Sequence, residues 1–225
     1  MDKKQNFIDK IVSIEWEMFT AVNEGEERAS CQEDRVTFEG MRRAQFNEWS
    51  LPAAESYLDD LETAQRSGRN LVEEKYIHMM KTTEPSKYTA LLERVVMPSD
   101  AAGALAKEVS DLLLEQTRLL FEDYPYVSGQ GRPLYSTFDY AGISVETYQL
   151  GELLTYSSNT LAALKEHINE LEKNGSSLAR NILEKTVKFY GHDSLDTAEA
   201  ATKERIDKMG IQVTFGCCAG GDCEI

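Results

Sequence analysis

Apolar residues recur at three- and four-residue intervals along almost the whole chain. Phe7, Ile8, Ile11, Val12, Met18 and Val22 lay one stripe along a helix expected from about residue 3 to 23. The polar, small stretch Gly25 to Asp34 breaks that stripe. Thr37 is the expected cap of a second helix carrying Phe38, Met41, Phe46 and Trp49. Pro52 suits the first turn of a third helix, which Gly68 closes, and Leu71 to Met80 continue as a fourth. Pro85 and Pro98 read as punctuation. The longest helix is expected from Ser99 to Tyr124, because the residue before Pro125 resists the helical well. Helices resume over 144–156, 158–173, 176–190 and 194–209, with Asn174-Gly175, Gly191 and Gly210 as stops. Between them, Val127 to Gly142 holds too many glycines and prolines for a helix and reads as a functional or mobile loop.

These elements predict an all-α, single-domain helical bundle of about nine helices, spanning 1–209, followed by a cysteine-rich C-terminal tail over 210–225. The punctuation also echoes itself at a shift of 107 residues. Thr37 matches Ser144, Trp49 matches Tyr156, Ser50 matches Ser157 and Gly68 matches Gly175. Two loosely similar halves, roughly 1–98 and 99–209, are one reading of this echo; the other is that both halves obey the same capping rules. If the echo is a repeat, the bend containing Arg28, Ser30, Cys31 and Gln32 corresponds to the bend containing Arg132, and both sit at one end of the core.

Charge narrows the function classes. The 24 Lys and Arg face 39 Asp and Glu in 225 residues, a formal net charge of −15. Such a chain repels phosphate backbones and anionic lipid headgroups, so no nucleic-acid partner and no membrane partner are expected. No apolar run reaches the length of a bilayer span, and Met1 to Lys10 does not form a signal h-region, so a cytoplasmic protein is expected.

The candidate chemistry gathers in three places. From 28 to 49 the sequence offers Arg28, Ser30, Cys31 and Gln32 in one bend, then Arg42, Gln45 and Trp49 on one helix face. Arginine presents a planar fork of donors suited to a carboxylate, glutamine both donates and accepts, and tryptophan supplies a flat wall. This set suits a small anionic or planar ligand, although arginine pairing with the abundant acids and tryptophan in the core is the plainer reading. Arg132, in Gly129-Gln130-Gly131-Arg132-Pro133, is the second place, with the rings of Tyr124, Tyr126, Tyr135, Phe138 and Tyr140 as a candidate lid. Glu146 and Glu152 are candidate general bases if burial raises their pKa toward neutrality, and Cys31 is a candidate nucleophile. With Glu39 they invite a di-metal reading, but no Glu-x-x-His partner exists.

The third place is the tail, where Cys217, Cys218 and Cys223 fall within the last nine residues. Thiolates are soft ligands for Zn, Cu(I) or an iron–sulfur cluster, so a thiolate-bound metal or a thiol-redox accessory role is an alternative function. The spacing fits no standard site, and incidental cysteines in an untethered tail are the plainer reading. A helical interaction scaffold is the third alternative.

Several segments carry a resemblance. Ile14-Glu15-Trp16-Glu17-Met18-Phe19, Arg28-Ala29-Ser30-Cys31-Gln32 and Met41-Arg42-Arg43-Ala44-Gln45-Phe46, then Gly131-Arg132-Pro133, Glu146-Thr147-Tyr148 and Gly151-Glu152-Leu153, together resemble an uncharacterised bacterial family, domain of unknown function 4125. The resemblance spans most of the chain up to Phe215. It implies an all-helical body and brings no activity, substrate or cofactor with it. Tyr148, inside one of these motifs, joins the candidate ligand-binding residues. The leading expectation is a soluble protein that binds a small ligand between the two arginine-bearing bends.

Overall fold

The computed structural model describes residues 2–22 and 30–210. Eleven α-helices and three short 3-10 turns make up the described chain, and no strand occurs among the described residues. The first half contributes α1 (Lys3–Ala21), α2 (Arg35–Asn47), α3 (Leu51–Arg66), α4 (Leu71–Thr83) and α5 (Pro85–Leu91). The second contributes α6 (Asp100–Asp123), α7 (Pro125–Ser128), α8 (Val145–Leu153), α9 (Ser158–Lys173), α10 (Leu178–Phe189) and α11 (Leu195–Met209). Among the described residues no helix is long and apolar enough to cross a membrane.

Side-chain caps set most of the starts. Ser50, Ser99, Ser144, Ser157 and Ser194 each accept from the backbone N–H three residues on, which satisfies one otherwise orphaned donor. The expected cap of α2 is corrected. Asp34 holds that place and accepts from the Thr37 backbone N–H at 3.0 Å, so Thr37 is the third helical residue. The count of nine helices becomes eleven because Pro85 and Pro125 each open a short helix rather than only closing one. The expected helix over 144–156 stops at Leu153, and the one expected from 176 begins at Leu178 behind the Ser177 cap.

The 107-residue shift reappears in the packing. α3 and α9 have bounds offset by that number at both ends, and α4 and α10 start at 71 and 178. α1 packs on α2, α3 and α4, and α6 packs on α8, α9 and α10. α3 meets α9 at the centre, α4 crosses to pack on α8, and α10 crosses to pack on α2. Two bonds tie the seam reciprocally. Asp60 on α3 accepts from the Ser157 N–H at 3.0 Å at the start of α9, and the ring of His167 on α9, 107 residues after Asp60, bonds the Glu48 carbonyl at 2.8 Å before α3.

Phe46, Leu61, Leu161 and Ile168 are fully buried in the larger core. Each such side chain stabilises the fold by roughly 1.5–3 kcal/mol through removal of apolar surface from water. Trp49 is buried among them, stacked edge-on against Tyr156 at 5.9 Å. A second, smaller cluster lies apart from it, formed by Leu120, Tyr124, Val187, Leu195 and Ala198. Residues 211–225, which hold the cysteines of the expected tail, lie outside the described residues.

Candidate functional site

Two charged residues sit in register with buried apolar stripes. Glu15 follows Ile11 by four residues and precedes Met18 by three, so it enters the core with them and is 2% exposed. Lys75 lies between Leu71 and Met79 in the same way and is also buried. Neither charge can stay in such a place alone, because an unpaired buried ion costs several kcal/mol.

Arg42 and Glu152 supply the counter-charges. The Arg42 guanidinium donates to Glu15 through Nε at 2.6 Å and Nη2 at 2.5 Å, a two-pronged pairing of fork and carboxylate. It also donates to Glu152 at 2.9 Å and to the Gln45 amide oxygen at 2.8 Å. Lys75 Nζ donates to the other Glu152 oxygen at 2.5 Å. Tyr57 donates to Glu15 and Tyr156 to Glu152, each at 2.7 Å. Five helices, α1, α2, α3, α4 and α8, therefore meet in a neutral quartet of two cations and two carboxylates.

The electrostatics follow from that pairing. Burial pushes the Glu152 carboxyl up, but the Arg42 and Lys75 charges outweigh it and hold the group well below the usual carboxylate range. The expectation that a buried Glu152 becomes a base near neutrality is thus corrected, since burial here comes with two cations. Burial and the neighbouring carboxylates raise Tyr57 and Tyr156 well above the usual phenol range, so both stay hydroxyl donors.

This quartet floors a pocket of about 390 Å³. Cys31, from the first bend, and Arg132, from the second, are exposed and form parts of its rim, and Tyr76 and Tyr148 give it aromatic walls. The guanidinium of Arg132 lies 4.4 Å from the centre of the Tyr148 ring, and Lys75 Nζ lies 3.6 Å from it. Arg132 also donates to the Ile143 carbonyl at 3.1 Å. Among the described residues no carboxylate pairs with it.

The loop bearing Arg132 is tied down. Asp139 accepts from the Ser144 N–H at 2.8 Å, from the Thr147 hydroxyl at 2.6 Å and from the Thr82 hydroxyl at 3.0 Å, which fastens the loop to α8 and α4. The expected aromatic lid is corrected: none of its rings lines the pocket, Tyr124 being buried in the smaller hydrophobic cluster and Tyr140 being 84% exposed.

The remaining candidates fall as follows. Arg28 lies outside the described residues. Ser30 is exposed in the 3-10 turn Ser30–Gln32, and Gln32 is buried, its amide donating to the carbonyls of Phe19 at 2.8 Å and Val22 at 2.9 Å, where it closes the end of α1. Glu146 accepts from the Ser136 N–H at 2.8 Å and so serves the loop. Cys217, Cys218 and Cys223 lie outside the described residues, and among the described ones no group of three His, Cys, Asp or Glu could hold a metal. Sequence reasoning missed Glu15 and Lys75, although the signal existed: each is a charge in register with an apolar stripe.

A second, larger cavity of about 1020 Å³ shares Met41, Arg132, Tyr148 and Glu152 with the first. The sequence model of a family described as "Protein of unknown function (DUF4125)" matches residues 5–200. No curated protein and no solved structure matches the chain.

Proposed function

We propose that this chain, which belongs to the DUF4125 family, binds a small ligand combining one negative charge with a planar apolar body, held in the 390 Å³ pocket. The carrying observation is Arg132. It stands at the rim over the Tyr148 ring without a carboxylate partner among the described residues, while the buried charges beneath it are balanced. A ligand carboxylate completes the guanidinium fork, and the ligand's flat face lies against Tyr148 and Tyr76. The quartet below acts as a rigid floor, since its hydrogen bonds fix the rotamers on which the walls stand. The two-bend geometry of the sequence reading is kept in this proposal, with Arg132 as the bidder for the anion and Arg42 as internal scaffolding.

Titration calorimetry with benzoate, 4-hydroxybenzoate and indole-3-acetate tests the reading. At least one of these probes binds the wild-type chain, its neutral amide binds about tenfold more weakly, and Arg132→Gln weakens the carboxylate by a similar factor. Arg132 is exposed, so the variant's own melting stays within about 0.5 kcal/mol of wild type. Equal binding of acid and amide, or of wild type and variant, overturns the reading.

A further inference from the structure

The two cavities occupy equivalent places in the two halves. Shifting by 107 residues carries eight wall residues of the smaller pocket onto wall residues of the larger, among them Arg42 onto Gln149, Tyr57 onto Leu164, Lys75 onto Ile182 and Tyr76 onto Leu183. Leucine and isoleucine thus stand on one side where Tyr57, Lys75 and Tyr76 stand on the other, and the Arg42 guanidinium is answered by the uncharged amide of Gln149. The larger cavity also divides the hydrophobic interior. Leu164, Leu178 and Ile182 on its walls belong with the main cluster, whereas Leu120, Val187 and Ala198 belong to the separate one.

Its buried lining is aromatic or aliphatic except for Glu152, whose charge Arg42 and Lys75 already balance. Trp49, Leu153, Tyr156, Leu164 and Leu178 are buried, whereas Gln130, Arg132 and Arg205 are exposed at the opening. The arginines there are unusual for this chain. Every described arginine except Arg132 and Arg205 is ion-paired to a carboxylate. Arg205 instead donates to the Gln130 amide oxygen at 2.6 Å, across the opening from α11 to the Arg132 loop. In a chain of net charge −15, two arginines without acidic partners at the entrance to an apolar hollow form a local reversal of sign.

We propose that the larger cavity is a second binding site, for a single-chain anionic amphiphile whose aliphatic chain lies among the α6, α8 and α10 side chains and whose head sits between Arg132 and Arg205. The volume suits a long chain, since ligand pockets of about 300–1,000 Å³ enclose molecules of that size. Arg205 and the α6 and α10 walls belong to this cavity and not to the smaller pocket, so the proposal stands apart from the function proposed above, the two cavities having Met41, Arg132, Tyr148 and Glu152 in common.

Fluorescence of 11-(dansylamino)undecanoate with the full chain tests it. The wild type gives saturable enhancement, palmitate displaces the probe, and hexadecanol, of equal chain length without the charge, displaces it about tenfold less well. Ala179→Trp fills the cavity from α10 and weakens probe binding by about tenfold or more. Thr117→Trp does the same from α6, should the first substitution unfold the chain. Arg205→Gln brings palmitate and hexadecanol toward parity. Binding of whichever aromatic carboxylate the smaller pocket takes persists in all three variants, which separates failure here from failure there. Absence of saturable binding to the wild type, undiminished binding to folded cavity-filled variants, or equal displacement by palmitate and hexadecanol overturns the proposal.

Discussion

Glu152 accepts from Arg42, Lys75 and Tyr156, and that one side chain sets what the buried quartet can do. Replacing it by glutamine leaves two buried cations facing one carboxylate, so Glu152→Gln should lower unfolding free energy by roughly 3–5 kcal/mol in urea titration. Because the folded carboxyl lies below its ordinary value of 4.5, the stabilisation is complete above that pH and drains away as pH falls beneath it. His78 acts in a different window. Burial first, with Lys81 adding to it, lowers its pKa from 6.5 to about 4, and its Nε2 has no hydrogen-bond partner among the described residues. The unfolded chain takes up that proton first, so stability falls between pH 6.5 and 4, by on the order of 2 to 3 kcal/mol from this residue. His78→Met should flatten that upper limb in pH-dependent urea unfolding and leave the lower limb unchanged. At this scale Arg42, Gln45 and Glu152 were legible as polar candidates, but not their partners. Spacing along one helix says nothing about α1 or α4, and a lysine amid leucine and methionine looks like an ordinary solvated charge until the counter-helix is known.

Close approach of α4 to α8 depends on Gly151. A Cβ there would lie 2.8 Å from Met79 Cγ and 3.1 Å from the Lys75 carbonyl oxygen, and the carbonyl moves only if α4 moves. Gly151→Ala should therefore cost about 1–3 kcal/mol and disturb the Lys75–Glu152 pair one residue away. Gly103 in α6 is the contrast, since its nearest neighbour is Pro98 Cγ at 4.0 Å. Gly103→Ala should stabilise by about 0.5–1 kcal/mol through helix propensity alone, and thermal melts of the two variants should move in opposite directions. Elements were the most legible layer. Serine caps and stop glycines such as Gly68 and Gly175, both at left-handed φ, marked the helix ends directly. Pro85 and Pro125 misled, because a proline that ends one helix is equally fit to begin the next.

Across the whole molecule, the crossed packing of α4 on α8 and α10 on α2 gives two hollows in matching positions, one floored by buried ion pairs and one whose buried walls are mostly aliphatic and aromatic. The 107-residue spacing of caps hinted at this arrangement, but cavities arise where side chains from both halves fail to fill the space between them, and no single-chain pattern records that. Arg132 was legible as a loop arginine, but the ring it lies over is Tyr148 of α8 and not one of its own loop, and its lack of an acidic partner among the described residues could only emerge from the folded chain. The most direct measurement uses Cys31, which lines the smaller pocket and is exposed. Its alkylation rate by iodoacetamide, read by peptide mass spectrometry, should fall about tenfold when the best-binding aromatic carboxylate occupies about nine-tenths of the wild type and only about twofold in Arg132→Gln at the same concentration. An unprotected Cys31 in a chain shown by calorimetry to be saturated would place the ligand elsewhere and contradict the account.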